Sequence, residues 1–72
     1  MNEYTVFLSW DDEAQVWIAE SDDIPGLVLE AKTADALIEE AKLAALELLE
    51  LMDIPPHSLK LCFKAERFAV VA

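Results

Sequence analysis

The sequence contains one glycine, Gly26, and it directly follows the first proline, Pro25. Proline fixes φ at about −65°, and glycine readily accepts a positive φ, so residues 24–27 favour a type II turn. The runs on either side, WIAES and LVLEA, are rich in strand-forming residues. The pattern therefore predicts strands at residues 16–21 and 27–31, with Pro25 and Gly26 as structural residues of the turn between them.

A further strand is predicted ahead of this pair. Residues 3–10 alternate in character, and successive side chains of a strand point to opposite faces. Residues 11–15, DDEAQ, are poor strand formers and predict a hairpin loop. If Trp10 lies opposite Trp17, then Leu8 faces Ala19 on the same side of the sheet. A slip of one residue would exchange the two faces, so the pattern leaves the register open by one residue.

One long helix is predicted after the third strand. Thr33 is a suitable N-cap, and apolar residues recur at helical spacing from residue 34 through Met52. The resulting apolar stripe is broad enough to lie on a sheet. Leu43 and Leu46 fall outside this stripe and predict a contact surface, although single exposed leucines are also ordinary on protein surfaces.

Acidic residues gather near the end of the predicted helix. Glu47, Glu50 and Asp53 lie where the helix dipole disfavours negative charge, and no lysine or arginine offsets them there. This pattern suits a basic partner, or it is a tolerated surface cost. We include Glu47 and Glu50 with Leu43 and Leu46 as candidate interface residues.

The last element is a strand at residues 59–65, because Pro55 and Pro56 stop the helix before it. The fold class is therefore α+β with the order β-β-β-α-β. Three strands form an antiparallel meander, one helix covers one face, and the fourth strand lies parallel to the first through a right-handed crossover. The expected strand order is 3-2-1-4, in a single domain spanning residues 1–72. The final residues, RFAVVA, are too apolar for a free tail.

One helix leaves the other face of this sheet open. The apolar residues expected on that face are Phe7, Val16, Ile18, Val28 and Cys62. A chain of this length buries only roughly 60% of its unfolded surface, so a lone monomer would be marginally stable. We therefore expect a homo-oligomer, a dimer or higher, with Phe7, Ile18 and Val28 as interface candidates.

Charge and composition limit the function classes. The 72 residues carry a formal net charge of −10, which opposes direct binding to nucleic acid phosphates. The same charge suits a basic protein partner, or it simply keeps a small oligomer soluble. No signal peptide and no apolar run of membrane-spanning length is present. We expect a cytoplasmic protein without membrane attachment.

The sequence predicts no catalytic, cofactor or metal site. Acidic residues cluster in the two turns at 11–13 and 22–23, and carboxylates can bind Mg²⁺ or Ca²⁺. A meander places these turns at opposite ends of the sheet, so solvated turns are the better interpretation. His57 has no cysteine or serine at motif spacing, and Cys62 in mid-strand is typical of a packing residue. We therefore expect a protein that is not an enzyme.

The run from residue 10 to residue 41 carries a combined motif. It consists of a Trp-Asp turn, the strand VWIAES, the turn DDIPGL and the residues EAKT, which lead into a helix. This motif resembles the HicB-like antitoxin superfamily, and within it a family of short, uncharacterised bacterial proteins. The resemblance covers nearly half of the chain and implies a partial ribonuclease H-like fold that lacks the active site.

The resemblance implies a function as well. HicB-type antitoxins bind and block HicA toxins, which are small basic ribonucleases, so a HicA-like toxin is the expected partner. Full-length HicB proteins usually carry a C-terminal DNA-binding segment, for which this sequence shows no basic counterpart. A stand-alone oligomeric scaffold or regulatory domain with an unrelated partner is the alternative. A residual nuclease is the third hypothesis, and its chemistry would need several carboxylates that converge on Mg²⁺.

Overall fold

The computed structural model describes residues 2–55 and 59–72. Four strands and one helix lie within these residues: β1 Asn2–Asp11, β2 Val16–Glu20, β3 Val28–Ala31, α1 Ala34–Leu51 and β4 Leu59–Glu66. The strands form one sheet in the order β3-β2-β1-β4. The first three strands pair antiparallel, and β4 pairs parallel to β1. The predicted α+β fold and strand order are confirmed, while Pro56, His57 and Ser58 lie outside the described residues.

The register of the first hairpin follows the two tryptophans. Trp10 lies opposite Trp17, and Leu8 lies opposite Ala19. Leu8 and Ala19 are both buried against α1, so the hairpin directs its most apolar face to the helix. The sequence left this register open by one residue, and the structure has the alternative in which Trp10 faces Trp17.

The turn before β3 is anchored in the core. Gly26 has φ = 87°, and the Leu27 N–H donates to the Ile24 carbonyl oxygen at 3.2 Å, as a type II turn requires. Ile24 and Leu27 are both buried. The Pro-Gly pair therefore reverses the chain while the residues on either side of it fill the core.

Both ends of α1 are capped. The Thr33 hydroxyl accepts a hydrogen bond from the Ala36 N–H at 3.1 Å, which makes Thr33 the predicted N-cap. At the other end the Asp53 N–H donates to the Glu50 carbonyl oxygen at 3.0 Å, and the Ile54 N–H donates to that of Leu49 at 2.9 Å. This is a Schellman motif, and its left-handed position is occupied by Asp53 with φ = 58°.

The helix is shorter than the sequence pattern indicates by one residue. Met52, expected in the buried stripe, is the C-cap and is exposed. The expectation is wrong because the Schellman turn rotates the chain away from the sheet at this residue. No helix among the described residues is long and apolar enough to cross a membrane.

The core lies between α1 and one half of the sheet. The helix packs mainly on β2 and β3. Its buried residues are Leu37, Ala41, Ala45 and Leu49. As a result, the inward side chains of β4 are only partly covered: Leu59, Leu61 and Phe63.

Residues 67–72 follow β4 without regular secondary structure. Phe68, Val70 and Val71 in this segment are at least 85% exposed. The expectation that they are too apolar to remain free is wrong for the single chain, because neither the sheet nor the helix offers them a covered position.

Candidate interaction surfaces

Two surfaces of the molecule expose apolar side chains in a charged setting. The open face is the side of the sheet away from α1, and its apolar members are Phe7, Val16, Ile18, Val28 and Cys62. The outer helix surface is the solvent side of α1 and contains Leu43, Leu46, Glu47 and Glu50. The predicted interface residues thus fall into two groups on opposite sides of the molecule, and the structure does not bring them together as one site.

The open face has its exposed apolar groups in one row across the sheet. Val28 pairs with Glu20, and Glu20 pairs with Phe7. Phe7 is 48% exposed and Val28 is 68% exposed. In the next row Ile18 is half-buried and pairs with Ser9 and Glu30. Large apolar side chains therefore meet solvent at the middle and at one edge of the sheet.

The open face carries both lysines and carboxylates. Lys60 and Lys64 project from β4 at one edge, in register with β1 residues Glu3 and Phe7. Glu20 and Glu30 project from β2 and β3 on the other half of the sheet. Glu3 lies beside Lys60, and Glu66 follows Lys64 on the same face of β4. The open face therefore has its two lysines on β4 and carboxylates on all four strands, with apolar groups between them.

The outer helix surface has two exposed leucines with carboxylates on the C-terminal side of them, and Lys42 lies beside Leu46. Leu43 is 66% exposed and Leu46 is 38% exposed, while Glu47 and Glu50 are exposed beside them. The last turn of α1 contains no basic residue. The helix dipole adds partial negative charge at the same end, so this surface favours a positively charged partner.

A shallow apolar groove separates α1 from β4. It has a volume of about 290 Å³ and is lined by Lys42, Leu46, Leu59, Leu61 and Phe63. Sequence reasoning missed this groove, because the hydrophobic pattern assigns a helix to a sheet face without fixing which strands it covers. The partial burial of Leu46 follows from its position on the wall of this groove.

The carboxylates of the acidic turn at residues 11–13 accept hydrogen bonds from nearby N–H groups. The Asp11 carboxylate accepts from the N–H groups of Glu13 and Ala14 at 3.1 and 3.2 Å. The Asp12 carboxylate accepts a hydrogen bond from the indole Nε1–H of Trp10 at 3.1 Å. Among the residues that the structure describes, no group of three or more His, Cys, Asp or Glu side chains is placed to hold a metal ion.

Two tryptophans and an arginine form a cluster at the end of the sheet. The rings of Trp10 and Trp17 pack edge to face with centroids 5.6 Å apart. The Arg67 guanidinium carbon lies 4.1 Å from the Trp10 ring centroid and 5.8 Å from that of Trp17, within cation–π distance. The Trp pair belongs to one of the registers that the sequence left open, but Arg67 was missed because nothing in the sequence pattern places it there.

Comparison with known proteins assigns the chain to a family. The model of the family described as "Domain of unknown function (DUF1902)" matches residues 3–72. The chain belongs to the DUF1902 family. This DUF1902 chain is also similar to a solved structure, that of hypothetical protein TTHA1013 from the extremely thermophilic bacterium Thermus thermophilus, with 38% identity and a TM-score of 0.79. The similarity covers 97% of this chain and 100% of that one.

No curated protein matches the chain. Neither the DUF1902 description nor that of the Thermus protein mentions HicB-type antitoxins. Membership of the DUF1902 family is therefore shown, and the narrower relationship to HicB-like antitoxins stays a prediction.

Proposed function

We propose that this DUF1902 protein is a cytoplasmic, non-catalytic binding module that neutralises a small basic HicA-type ribonuclease by protein–protein contact. The observation that supports the proposal is the outer helix surface, where exposed leucines lie beside carboxylates in the C-terminal half of α1. The HicB-like motif at residues 10–41 supplies the class of partner.

The composition of the outer helix surface suits such a contact. Specific interfaces have an apolar centre and a polar rim, and Leu43 and Leu46 are flanked by Glu47 and Glu50 in this way. An acidic rim attracts a basic protein over roughly 8–10 Å at physiological salt. The net charge of −10 acts in the same direction. The same charge disfavours RNA, so the module would compete for the ribonuclease without binding its substrate.

An inhibition assay tests the proposal. The purified chain is titrated into RNA cleavage by a HicA-type ribonuclease encoded beside it in the native host. We expect inhibition that is complete near one chain per ribonuclease. The double change Leu43→Ser and Leu46→Ser should raise the concentration needed for inhibition. Val28→Ser is the matched control, since Val28 and Leu43 are similarly exposed, at 68% and 66%, on opposite sides of the molecule.

The result that contradicts the proposal is cleavage that continues at a large excess of unmodified chain, together with no binding at low salt. If the Val28 change and the double leucine change reduce inhibition equally, the outer helix surface is not the specific contact with the ribonuclease.

The second candidate function is a stand-alone scaffold that assembles with itself and serves an unrelated partner. The exposure of Phe7 and Val28 on the open face favours it. Affinity capture from the native host at low salt separates the two functions. Recovery of a small basic ribonuclease supports the first, and its absence from a host that expresses one supports the second.

A further inference from the structure

We propose that two copies of this chain join edge to edge about a two-fold axis perpendicular to the sheet. In this arrangement β4 and the C-terminal tail, residues 67–72, run antiparallel to the same residues of the second copy. The proposal concerns self-association and does not depend on the ribonuclease partner proposed above. It rests on the open edge of β4, on the exposed apolar tail and on the order of charges along the strand.

The edge of the sheet at β4 is open to a further strand. Among the strands that the structure describes, β4 lies at one end of the order β3-β2-β1-β4 and pairs with β1 alone. An eight-residue edge strand presents a row of unpaired N–H and C=O groups, which is a template for another chain. Because α1 packs mainly on β2 and β3, the helix does not lie over this edge.

The C-terminal tail has the composition of a strand and no cover in its own chain. Phenylalanine and valine are strand-forming residues, and Phe68, Val70 and Val71 are at least 85% exposed. The tail begins in the direction of β4, since the register that ends at Ser9 and Glu66 would next place Arg67 beside Trp10. The Arg67 guanidinium does lie over the Trp10 ring.

The charges along β4 select one register for the pair of copies. A two-fold axis perpendicular to the sheet opposes only residues that lie on the same face. With Ala65 on the axis, Lys64 lies opposite Glu66 of the second copy, and the symmetry repeats this pair. Glu66 is the one acidic side chain in residues 59–72, so no other register gives Lys64 an opposed carboxylate.

The neighbouring registers are electrostatically unfavourable. With residue 64 on the axis, Lys64 would oppose Lys64 of the second copy, and with residue 66 on the axis Glu66 would oppose Glu66. Like charges directly opposed across two strands are destabilising, whereas opposite charges stabilise the pair. The chain is therefore complementary to itself along this edge, as a two-fold interface requires.

The same register sets the tail beside the groove between α1 and β4. Residues 67–71 of each copy lie opposite residues 63–59 of the other. As a strand, the tail would direct Val71 to the helix side, next to Leu59 of the second copy. Leu59 lines the groove of about 290 Å³, so the tail closes the side of the groove that β4 leaves open.

The remaining apolar side chains of the tail fall on the open face. Phe68 lies opposite Cys62 of the second copy, which is half-buried and uncharged. Val70 lies opposite Lys60, whose methylene stem can cover an apolar neighbour. A strand of an unrelated protein could use the same edge, but both the charge pairs and the cover for the tail are supplied by this chain itself.

Charge exchange along β4 tests the register. In variants Lys64→Glu and Glu66→Lys, each homodimer would bring like charges together at both symmetry-related pairs. We expect sedimentation equilibrium to show a dimer for the unmodified chain and roughly tenfold weaker dimerisation for each variant. An equimolar mixture of the two variants should form a mixed dimer, because every altered position then faces an opposite charge. The chain with both changes should dimerise with itself.

A cysteine on the axis tests the geometry directly. Cα atoms of directly opposed residues in an antiparallel pair lie about 4.5–5.5 Å apart, which is within the range of a disulfide. Ala65→Cys, in a chain that also has Cys62→Ser, should therefore form a disulfide-linked dimer under mild oxidation, seen on a non-reducing gel. Leu43→Cys in the same background is the matched control, an exposed single thiol away from the edge, and should form this dimer far more slowly.

Lys64, Ala65 and Glu66 are exposed, so far-UV circular dichroism of the variants should match that of the unmodified chain. Deletion of residues 68–72, which keeps Arg67, should also weaken the dimer. A monomeric unmodified chain at micromolar concentration overturns the proposal. So do charge variants or a shortened chain that dimerise as tightly as the unmodified chain, a mixture that fails to restore the dimer, or cysteines at positions 65 and 43 that cross-link at the same rate.

Discussion

The carboxylate of Asp23 accepts a hydrogen bond from the backbone N–H of Thr5 at 2.7 Å, across 18 residues of sequence. The Ser21 hydroxyl donates to the Thr5 carbonyl oxygen at 2.6 Å. The ladder between β1 and β2 extends no further in this direction than Phe7 and Glu20. Side chains of the acidic turn therefore continue, by two residues, the pairing that the backbone of β2 has ended.

The first prediction concerns this contact. Asp23→Ala leaves the Thr5 N–H without its charged acceptor, and we expect the free energy of unfolding to fall by roughly 1–2 kcal/mol. Faster hydrogen exchange at the Thr5 amide should accompany the loss. Asp22→Ala is the matched control, since it removes the same charge from the neighbouring residue. Equal destabilisation by the two changes, measured by urea unfolding, would show that the effect comes from net charge.

The second prediction concerns the turn at Gly26. A Cβ at this position would meet only the Leu48 Cδ2 at 3.7 Å, an ordinary contact. Any cost of substitution therefore comes from the backbone, whose φ of 87° is strained for other residues. We expect Gly26→Val to lower stability by roughly 1–3 kcal/mol. Gly26→Asn should cost less than Gly26→Ala, because asparagine tolerates this region. Thermal melts that rank alanine and asparagine alike would contradict the backbone explanation.

The third prediction uses the Schellman motif at the end of α1. Asp53 occupies its left-handed position with φ = 58°, where glycine is unstrained. Asp53→Gly should raise the free energy of unfolding by roughly 0.5–1 kcal/mol, since it relieves strain and removes a negative charge from the helix C-terminus. Asp53→Asn removes the charge and keeps a side chain, so it should give part of the gain. A lower melting temperature for Asp53→Gly would show that this side chain supports the cap in another way.

Local chemistry explains which parts of the fold could be predicted. The Pro25-Gly26 turn, the Thr33 cap and the pairing of Trp10 with Trp17 each depend on residues that are adjacent or directly opposed. Their geometry follows from a few dihedral preferences and from the alternation of side chains along a strand.

The parts that could not be predicted depend on how elements are offset from one another. The apolar stripe of α1 indicates that it lies on the sheet, but the shift of the helix towards β2 and β3 results from the shapes of many side chains together. The groove beside β4 and the position of Arg67 over Trp10 follow from that shift and from the path of the chain after β4. For the candidate surfaces, exposure of Leu43 and Leu46 was predicted from helical spacing. The positions of Lys64 and Glu20 on either side of Phe7 follow from the strand register, which the sequence left open.

The last prediction concerns the carboxylates beside the end of α1. Glu47→Gln with Glu50→Gln should slow association with a basic ribonuclease at low salt and change dissociation little, because exposed rim charges act mainly on encounter. The free protein should become more stable by about 0.3–1 kcal/mol for each charge removed, since both carboxylates oppose the helix dipole. Asp35→Asn in the first turn removes a charge that the dipole favours, so it should instead lower stability. Surface plasmon resonance at two salt concentrations, paired with thermal melts, measures both effects. An association rate that the double change leaves unaltered at low salt would exclude this end of the helix from the encounter surface.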